Sequence, residues 1–157
     1  MLRYISFDIV FQEIPGEVTL AVNITGCPNR CAGCHSPHLQ EDTGEALDEN
    51  VLSVWLEKYG SAITCLCFMG GDADPHEVAR LTAFIRKKSS YLKTAWYSGK
   101  AGLPADFSLR NFDYIKLGAY VEHLGGLSTP TTNQRFYRIE KGKMTDKTDG
   151  FWGISPL

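Results

Sequence analysis

Four short apolar or β-branched runs in this chain end on glycine or on a serine-glycine step. Val18-Thr19-Leu20-Ala21-Val22-Asn23-Ile24 stops at Thr25-Gly26, and Ile63-Thr64-Cys65-Leu66-Cys67-Phe68-Met69 stops at Gly70-Gly71. Lys93-Thr94-Ala95-Trp96-Tyr97 stops at Ser98-Gly99, and Tyr114-Ile115-Lys116-Leu117 at Gly118. Runs of this kind closed by glycine read as strands. The second is continuously apolar, as expected of a strand buried on both faces of a parallel sheet.

Helical patterns fall between these runs. From Ala46 to Tyr59 the residues Leu47, Val51, Val54 and Trp55 recur at i, i+4, i+7 and i+8, with Asp48 and Glu49 in the first turn and Gly60 just past the end. A second helix is expected with Asp74 as N-cap, Pro75 at its first position, Glu77 at capping-box spacing and Val78, Leu81 and Ile85 as its inner stripe. Strand, loop and helix repeat about three times, which predicts βαβ units with right-handed crossovers and a parallel sheet, open or partly closed into a barrel. In either form ligands gather at the C-terminal ends of the strands, where Cys27, Gly70, Ser98 and Gly118 stand. The tail from Leu124 differs: it holds glycines, the run Ser128 to Gln134, and a hairpin with Phe136-Tyr137-Arg138-Ile139 as one strand and its turn at Lys141-Gly142.

The length of 157 residues favours one domain. Such a chain buries roughly 68–70% of its unfolded surface and does not need a metal merely to fold. Any metal then asks for a chemical reason. Sixteen basic against eighteen acidic residues argue against a broad surface for nucleic acid or anionic lipid, and 43% apolar content excludes disorder. Five cysteines are odd in number and too sparse for a disulfide scaffold. The N-terminal apolar stretch is broken by Asp8, Gln12 and Glu13, and the apolar stretch from Ala62 to Met69 is less than half of the roughly 20 residues a membrane helix needs. A cytoplasmic chain without a membrane partner is expected.

Gly26-Cys27-Pro28-Asn29-Arg30-Cys31-Ala32-Gly33-Cys34 places three thiols at a CxxxCxxC spacing on the loop after the first strand. A closed zinc site wants four ligands. An iron-sulfur cube held by three cysteines leaves one iron open to a ligand that does chemistry. Pro28, Gly26 and Gly33 suit a backbone folded tightly round a metal. A zinc loop completed by His35 or His38, in a non-catalytic binding module, is the alternative. Cys65 and Cys67 flank Leu66 in a buried run and read as core.

The triple-cysteine spacing, with Gly70-Gly71-Asp72 at the end of the next strand, resembles the radical S-adenosylmethionine superfamily. Cys31-Ala32-Gly33-Cys34-His35, Met69-Gly70-Gly71-Asp72, Thr94 to Gly99 and Thr132-Asn133-Gln134-Arg135 are more narrowly similar to the activating proteins of anaerobic ribonucleoside-triphosphate reductases. The resemblance covers roughly residues 8 to 137 and implies an incomplete βα barrel of about four to five mainly parallel strands. The expected organisation is a single domain over 1–157, with a βα core over 1–123, a cluster loop over 26–38 and a hairpin-bearing tail over 124–157.

By that resemblance Cys27, Cys31 and Cys34 would ligate a 4Fe-4S cluster whose fourth iron takes S-adenosylmethionine. Gly70 and Gly71 would let the backbone approach the methionine part, beside Asp72 and Ser98, while Gly33, Cys34 and His35 would lie near the adenosyl group. One-electron reduction would yield a 5'-deoxyadenosyl radical that takes a Cα hydrogen from a glycine of the reductase. The implied partners are that reductase and a low-potential electron donor such as flavodoxin or ferredoxin. An open side of the barrel would admit a protein loop as substrate. Other glycyl radical enzymes or a small molecule stand as alternative substrates. The chain departs from the superfamily in having Gly33 where an aromatic residue usually precedes the third cysteine, Asp72 where many relatives have Glu, and Leu117 where an acidic residue often precedes the glycine.

The remaining candidates have plainer readings. His38, His76 and His123 read as surface or cap residues. Trp55 and Trp96 read as core or pocket wall, and Ser98 either touches a ribose or ends its strand. Arg86-Lys87-Lys88 reads as a solvated helix end that suits the dipole, or as a landing place for an acidic electron donor.

Overall fold

The computed structural model describes residues 1–29, 40–41 and 43–152. Cys31, Gly33, Cys34, His35 and His38 lie outside the described residues. The strands are β1 (Leu2–Val10), β2 (Thr19–Ile24), β3 (Glu45–Leu47), β4 (Cys65–Met69), β5 (Lys93–Tyr97), β6 (Tyr114–Leu117), β7 (Arg135–Glu140) and β8 (Lys143–Asp146). The helices are α1 (Glu49–Tyr59) and α2 (Pro75–Lys88). All eight strands form one sheet in the order β3-β1-β2-β4-β5-β6-β7-β8.

The central strands β2, β4, β5 and β6 pair in parallel, with Thr19 opposite Cys65, Cys65 opposite Lys93 and Ala95 opposite Tyr114. On one flank β1 runs antiparallel to β2 and β3; on the other β7 runs antiparallel to β6 and β8. The expected partial βα barrel of four to five mainly parallel strands is therefore not the fold. It is a mixed, eight-stranded sheet with two helices among the described residues. The reason lies in the connections. A parallel return needs a crossover of a dozen or more residues, usually helical. Residues 11–18 are too few for that and close a β1–β2 hairpin; residues 141–142 close a β7–β8 hairpin; residues 118–134 carry no helix and return β7 antiparallel. The β5–β6 link also lacks a helix over 98–113.

Alternation along the central strands gives the sheet two faces. Leu20, Val22, Ile24, Leu66, Phe68, Trp96 and Ile115 pack with Leu52, Trp55 and Leu56 of α1 and Val78, Leu81 and Ile85 of α2. Cys65, Cys67, Ala95, Tyr97 and Tyr114 form the opposite face, closed by Ile14 from the β1–β2 connection and Phe136 of β7. Each large side chain taken fully out of water contributes roughly 1.5–3 kcal/mol. Both faces of β4 are thus covered, as its unbroken apolar run requires.

Both helices differ in detail from the expected patterns. Glu45-Ala46-Leu47 extends as β3 against β1, so α1 begins only after Asp48, whose carboxylate accepts from the Val51 amide at 2.9 Å. Its buried stripe is Leu52, Trp55 and Leu56, while Val54 is exposed. Gly60 has a right-handed φ of −55° and continues into a 3-10 turn over Gly60–Ala62. In α2 Asp74 caps the Glu77 amide at 3.3 Å and Pro75 sits in the first turn, as expected. The reciprocal half of the capping box is absent, because the Glu77 carboxylate takes the Arg80 guanidinium at 2.6 and 2.9 Å. The tail hairpin turns at Lys141 (φ 51°) and Gly142 (φ 76°), the doubly left-handed pair that suits a two-residue hairpin loop.

Candidate functional site

The C-terminal ends of the four parallel strands lie side by side and bring together Cys27, Gly70-Gly71-Asp72, Ser98-Gly99 and Gly118. After β2 the chain is tied down by Thr25, whose amide donates to the Arg3 carbonyl at 2.9 Å, and by Gly26, whose amide donates to the Glu41 carbonyl at 2.9 Å. Cys27 follows as a free, half-buried thiol.

Gly70 and Gly71 both adopt left-handed φ, 106° and 99°. The Gly70 amide donates to the Tyr97 carbonyl at 3.0 Å and its carbonyl accepts from the Trp96 indole at 2.8 Å. The Gly71 carbonyl accepts from the Asp74 amide at 3.0 Å. Each of these carbonyls has one further lone pair. A methyl group at Gly70 would stand 3.2 Å from the Ile24 carbonyl oxygen, and one at Gly71 would stand 2.6 Å from Cγ2 of Val78. The glycines are therefore demanded by backbone conformation and by the protein's own packing.

Asp72 ties three segments together. Its Oδ1 accepts from the Ser98 hydroxyl at 2.5 Å; its Oδ2 accepts from the Gly99 amide at 2.8 Å and from Nδ2 of Asn29 at 2.6 Å. The same Asn29 nitrogen lies 3.4 Å from Sγ of Cys27. Asp72 and Ser98 are both buried. Ser98 in turn accepts from the Lys100 amide at 3.0 Å. Asn29 and Gly99 are residues that sequence reasoning missed. Asn29 had no signal beyond lying between two cysteines, and Gly99 only its place at a strand end.

At the end of β6 the Gly118 carbonyl accepts from Nζ of Lys116 at 3.1 Å and from Nε2 of Gln134 at 3.3 Å. Lys116 is buried, with its ammonium 5.8 Å from the Tyr97 ring centroid. A lysine in an otherwise apolar strand is the signal that could have found it. Thr132 and Gln134 are buried too, and the Gln134 amide donates to the Thr132 hydroxyl at 3.0 Å, so the Thr132-Asn133-Gln134-Arg135 run folds down on Gly118.

The other candidates separate cleanly. Cys65 and Cys67 are fully buried, and burial pushes both thiols well above their usual range. Both pack in the core against Ile14, Ala95, Tyr97 and Phe136. Trp55 and Trp96 are buried, whereas His76 and His123 are exposed. Arg86, Lys87 and Lys88 fill the last turn of α2, and Arg86 binds Asp113 at 2.5 Å. Among the described residues no three His, Cys, Asp or Glu side chains stand close enough to hold a metal ion, and no helix is long and apolar enough to cross a membrane.

Residues 15–101, more than half of the chain, match the family described as 4Fe-4S single cluster domain, and the chain belongs to that family. It is an iron-sulfur protein, and its cofactor chemistry is compatible with a redox enzyme. Comparison with curated proteins and with solved structures returned no match. The matched segment spans the cysteine loop, Gly70-Gly71-Asp72 and Ser98-Gly99. Of the described cysteines, Cys27 offers a half-buried thiol at a strand end with the side-chain amide of Asn29 beside its sulfur, a donor set compatible with such a cluster, whereas Cys65 and Cys67 are packed in the core.

Proposed function

We propose that this chain is a radical S-adenosylmethionine enzyme that activates a glycyl radical enzyme, the anaerobic ribonucleoside-triphosphate reductase. The observation that carries the reading is the placement of Cys27 beside Gly70-Gly71-Asp72 at the C-terminal ends of adjacent parallel strands in a 4Fe-4S family member. In this reading Cys27, Cys31 and Cys34 hold three irons. Such a cluster, with S-adenosylmethionine bound, would supply one-electron reductive chemistry toward the sulfonium and through it hydrogen removal from glycine.

The chain's own residues bind and orient. Each cysteine gives up its thiol proton on ligation. Gly70 and Gly71, held by Trp96 and Asp74, present their remaining carbonyl lone pairs to the methionine ammonium. Asp72 and Ser98 brace the ends of β4 and β5. Gly33, Cys34 and His35 receive the adenosyl group. A low-potential donor such as flavodoxin or ferredoxin supplies the electron, and the reductase glycine loop is the substrate.

The test is anaerobic reconstitution followed by reduction with S-adenosylmethionine present. The reading expects an altered cluster EPR signal on S-adenosylmethionine addition and release of 5'-deoxyadenosine with methionine. An intact 4Fe-4S cluster whose EPR signal and substrate both stay unchanged would overturn it.

A further inference from the structure

We infer that Asn29 is a positioning residue for the cluster: its side-chain amide, clamped by Asp72, donates to the Cys27 sulfur and raises the reduction potential of the iron-sulfur centre. The inference rests on the family membership and on Cys27 as a ligand, not on S-adenosylmethionine use. An Asn amide nitrogen carries two hydrogens. Nδ2 of Asn29 has two acceptors within reach, Oδ2 of Asp72 at 2.6 Å and Sγ of Cys27 at 3.4 Å. The carboxylate fixes which end of the amide faces inward, because an amide oxygen at 2.6 Å from a carboxylate oxygen would be repelled.

Asp72 is itself immobilised. The Ser98 hydroxyl holds Oδ1 at 2.5 Å and the Gly99 amide holds Oδ2 at 2.8 Å, and both Asp72 and Ser98 are buried. The Cys27 loop is thereby fastened to the ends of β4 and β5 through one side chain. Room for that side chain comes from Gly99: a methyl group there would stand 2.4 Å from Nδ2 of Asn29. Hydrogen bonds to cluster sulfurs favour the reduced, more negative state and so raise the potential. Outer-shell partners of this sort also orient the ligand.

The experiment is an EPR-monitored redox titration of the reconstituted protein without S-adenosylmethionine, for wild type, Asn29→Ala and Gly99→Ala. Asn29→Ala deletes the donor, and Gly99→Ala displaces it while keeping the residue. Both are expected to make the potential more negative, with at least a tenfold smaller reduced-to-oxidised ratio at fixed ambient potential, which is about 59 mV for one electron. The double variant is expected to shift no further than Asn29→Ala alone. Wild-type potentials in both single variants at full iron content would overturn the inference. So would a Gly99→Ala shift that persists undiminished on top of Asn29→Ala, since it would then act by another route. If Asn29→Ala fails to assemble a cluster, Gly99→Ala alone decides between a shift and none.

Discussion

The Ser98 hydroxyl donates to Oδ1 of Asp72 at 2.5 Å, joining the ends of β5 and β4 in a buried contact between a neutral donor and a carboxyl group. Hydrogen bonds to charged groups contribute about 1.5–3 kcal/mol when buried. Ser98→Ala is expected to lower stability by about that amount, read from urea unfolding under anaerobic conditions. A loss near zero would mean that the contact is replaced by water and does not brace the site.

Gly71 is pressed from two sides, by its φ of 99° and by Val78 at 2.6 Å from the position of a Cβ. A left-handed non-glycine residue costs roughly 1–2 kcal/mol, and overpacking adds about 1–3. Gly71→Ala is expected to destabilise by about 2–5 kcal/mol. In a double-mutant cycle with Val78→Ala the two losses should sum to more than the double variant's loss, because the clash is relieved while the backbone strain stays. Simple additivity would remove Val78 from the account.

Glu17 is buried at the opposite end of the sheet from Cys27. Burial alone raises its carboxyl pKa, but the Lys93 ammonium at 2.7 Å, the Thr64 hydroxyl at 2.7 Å and the Tyr114 hydroxyl at 2.6 Å outweigh that and hold it below the usual carboxylate range. A carboxyl with a lowered folded pKa contributes stability that is complete above its unfolded value, near 4.3, and is lost as pH falls through the folded one. Unfolding free energy is expected to drop on acidification below about pH 4.3, and Glu17→Gln should flatten that limb while lowering stability at neutral pH. The same acid slope in Glu17→Gln as in wild type would assign the loss to other carboxylates.

Lys141 occupies the first left-handed position of the β7–β8 turn at φ 51°. Asparagine tolerates that region better than lysine. Lys141→Asn is expected to raise stability by about 0.5–1 kcal/mol, and Lys141→Val to lower it, both as midpoint shifts in thermal unfolding. Equal midpoints for the two variants would show that the turn is set by its strands alone.

Much of the fold is legible where local signals and burial agree. Lys93–Tyr97 and Tyr114–Leu117 form strands over the runs expected, and Asp74, Pro75 and the Val78, Leu81, Ile85 stripe define α2. Strand direction is not carried by a single strand's pattern, so the antiparallel flanks and hence the eight-stranded sheet were hidden. β1 is weakly patterned because much of Leu2–Val10 is exposed and its register slips between Tyr4 and Ser6. Glu45-Ala46-Leu47 are good helix formers drawn into β3 by pairing with β1. At the site, residue types marked Cys27, Gly70, Gly71 and Asp72. The role of Asp72 as a brace for Asn29 depends on a contact across 43 positions of sequence, which no local motif encodes.

The most direct test of the proposed activity mixes the reconstituted, reduced protein with S-adenosylmethionine and the anaerobic reductase and records the EPR spectrum. A glycyl radical on the reductase is expected, abolished by Cys31→Ala and largely kept by Cys65→Ala, since Cys65 is packed in the core. Release of 5'-deoxyadenosine with no glycyl radical would place the substrate elsewhere, and equal loss of signal from both cysteine variants would contradict the division of the cysteines into three ligands and two core residues.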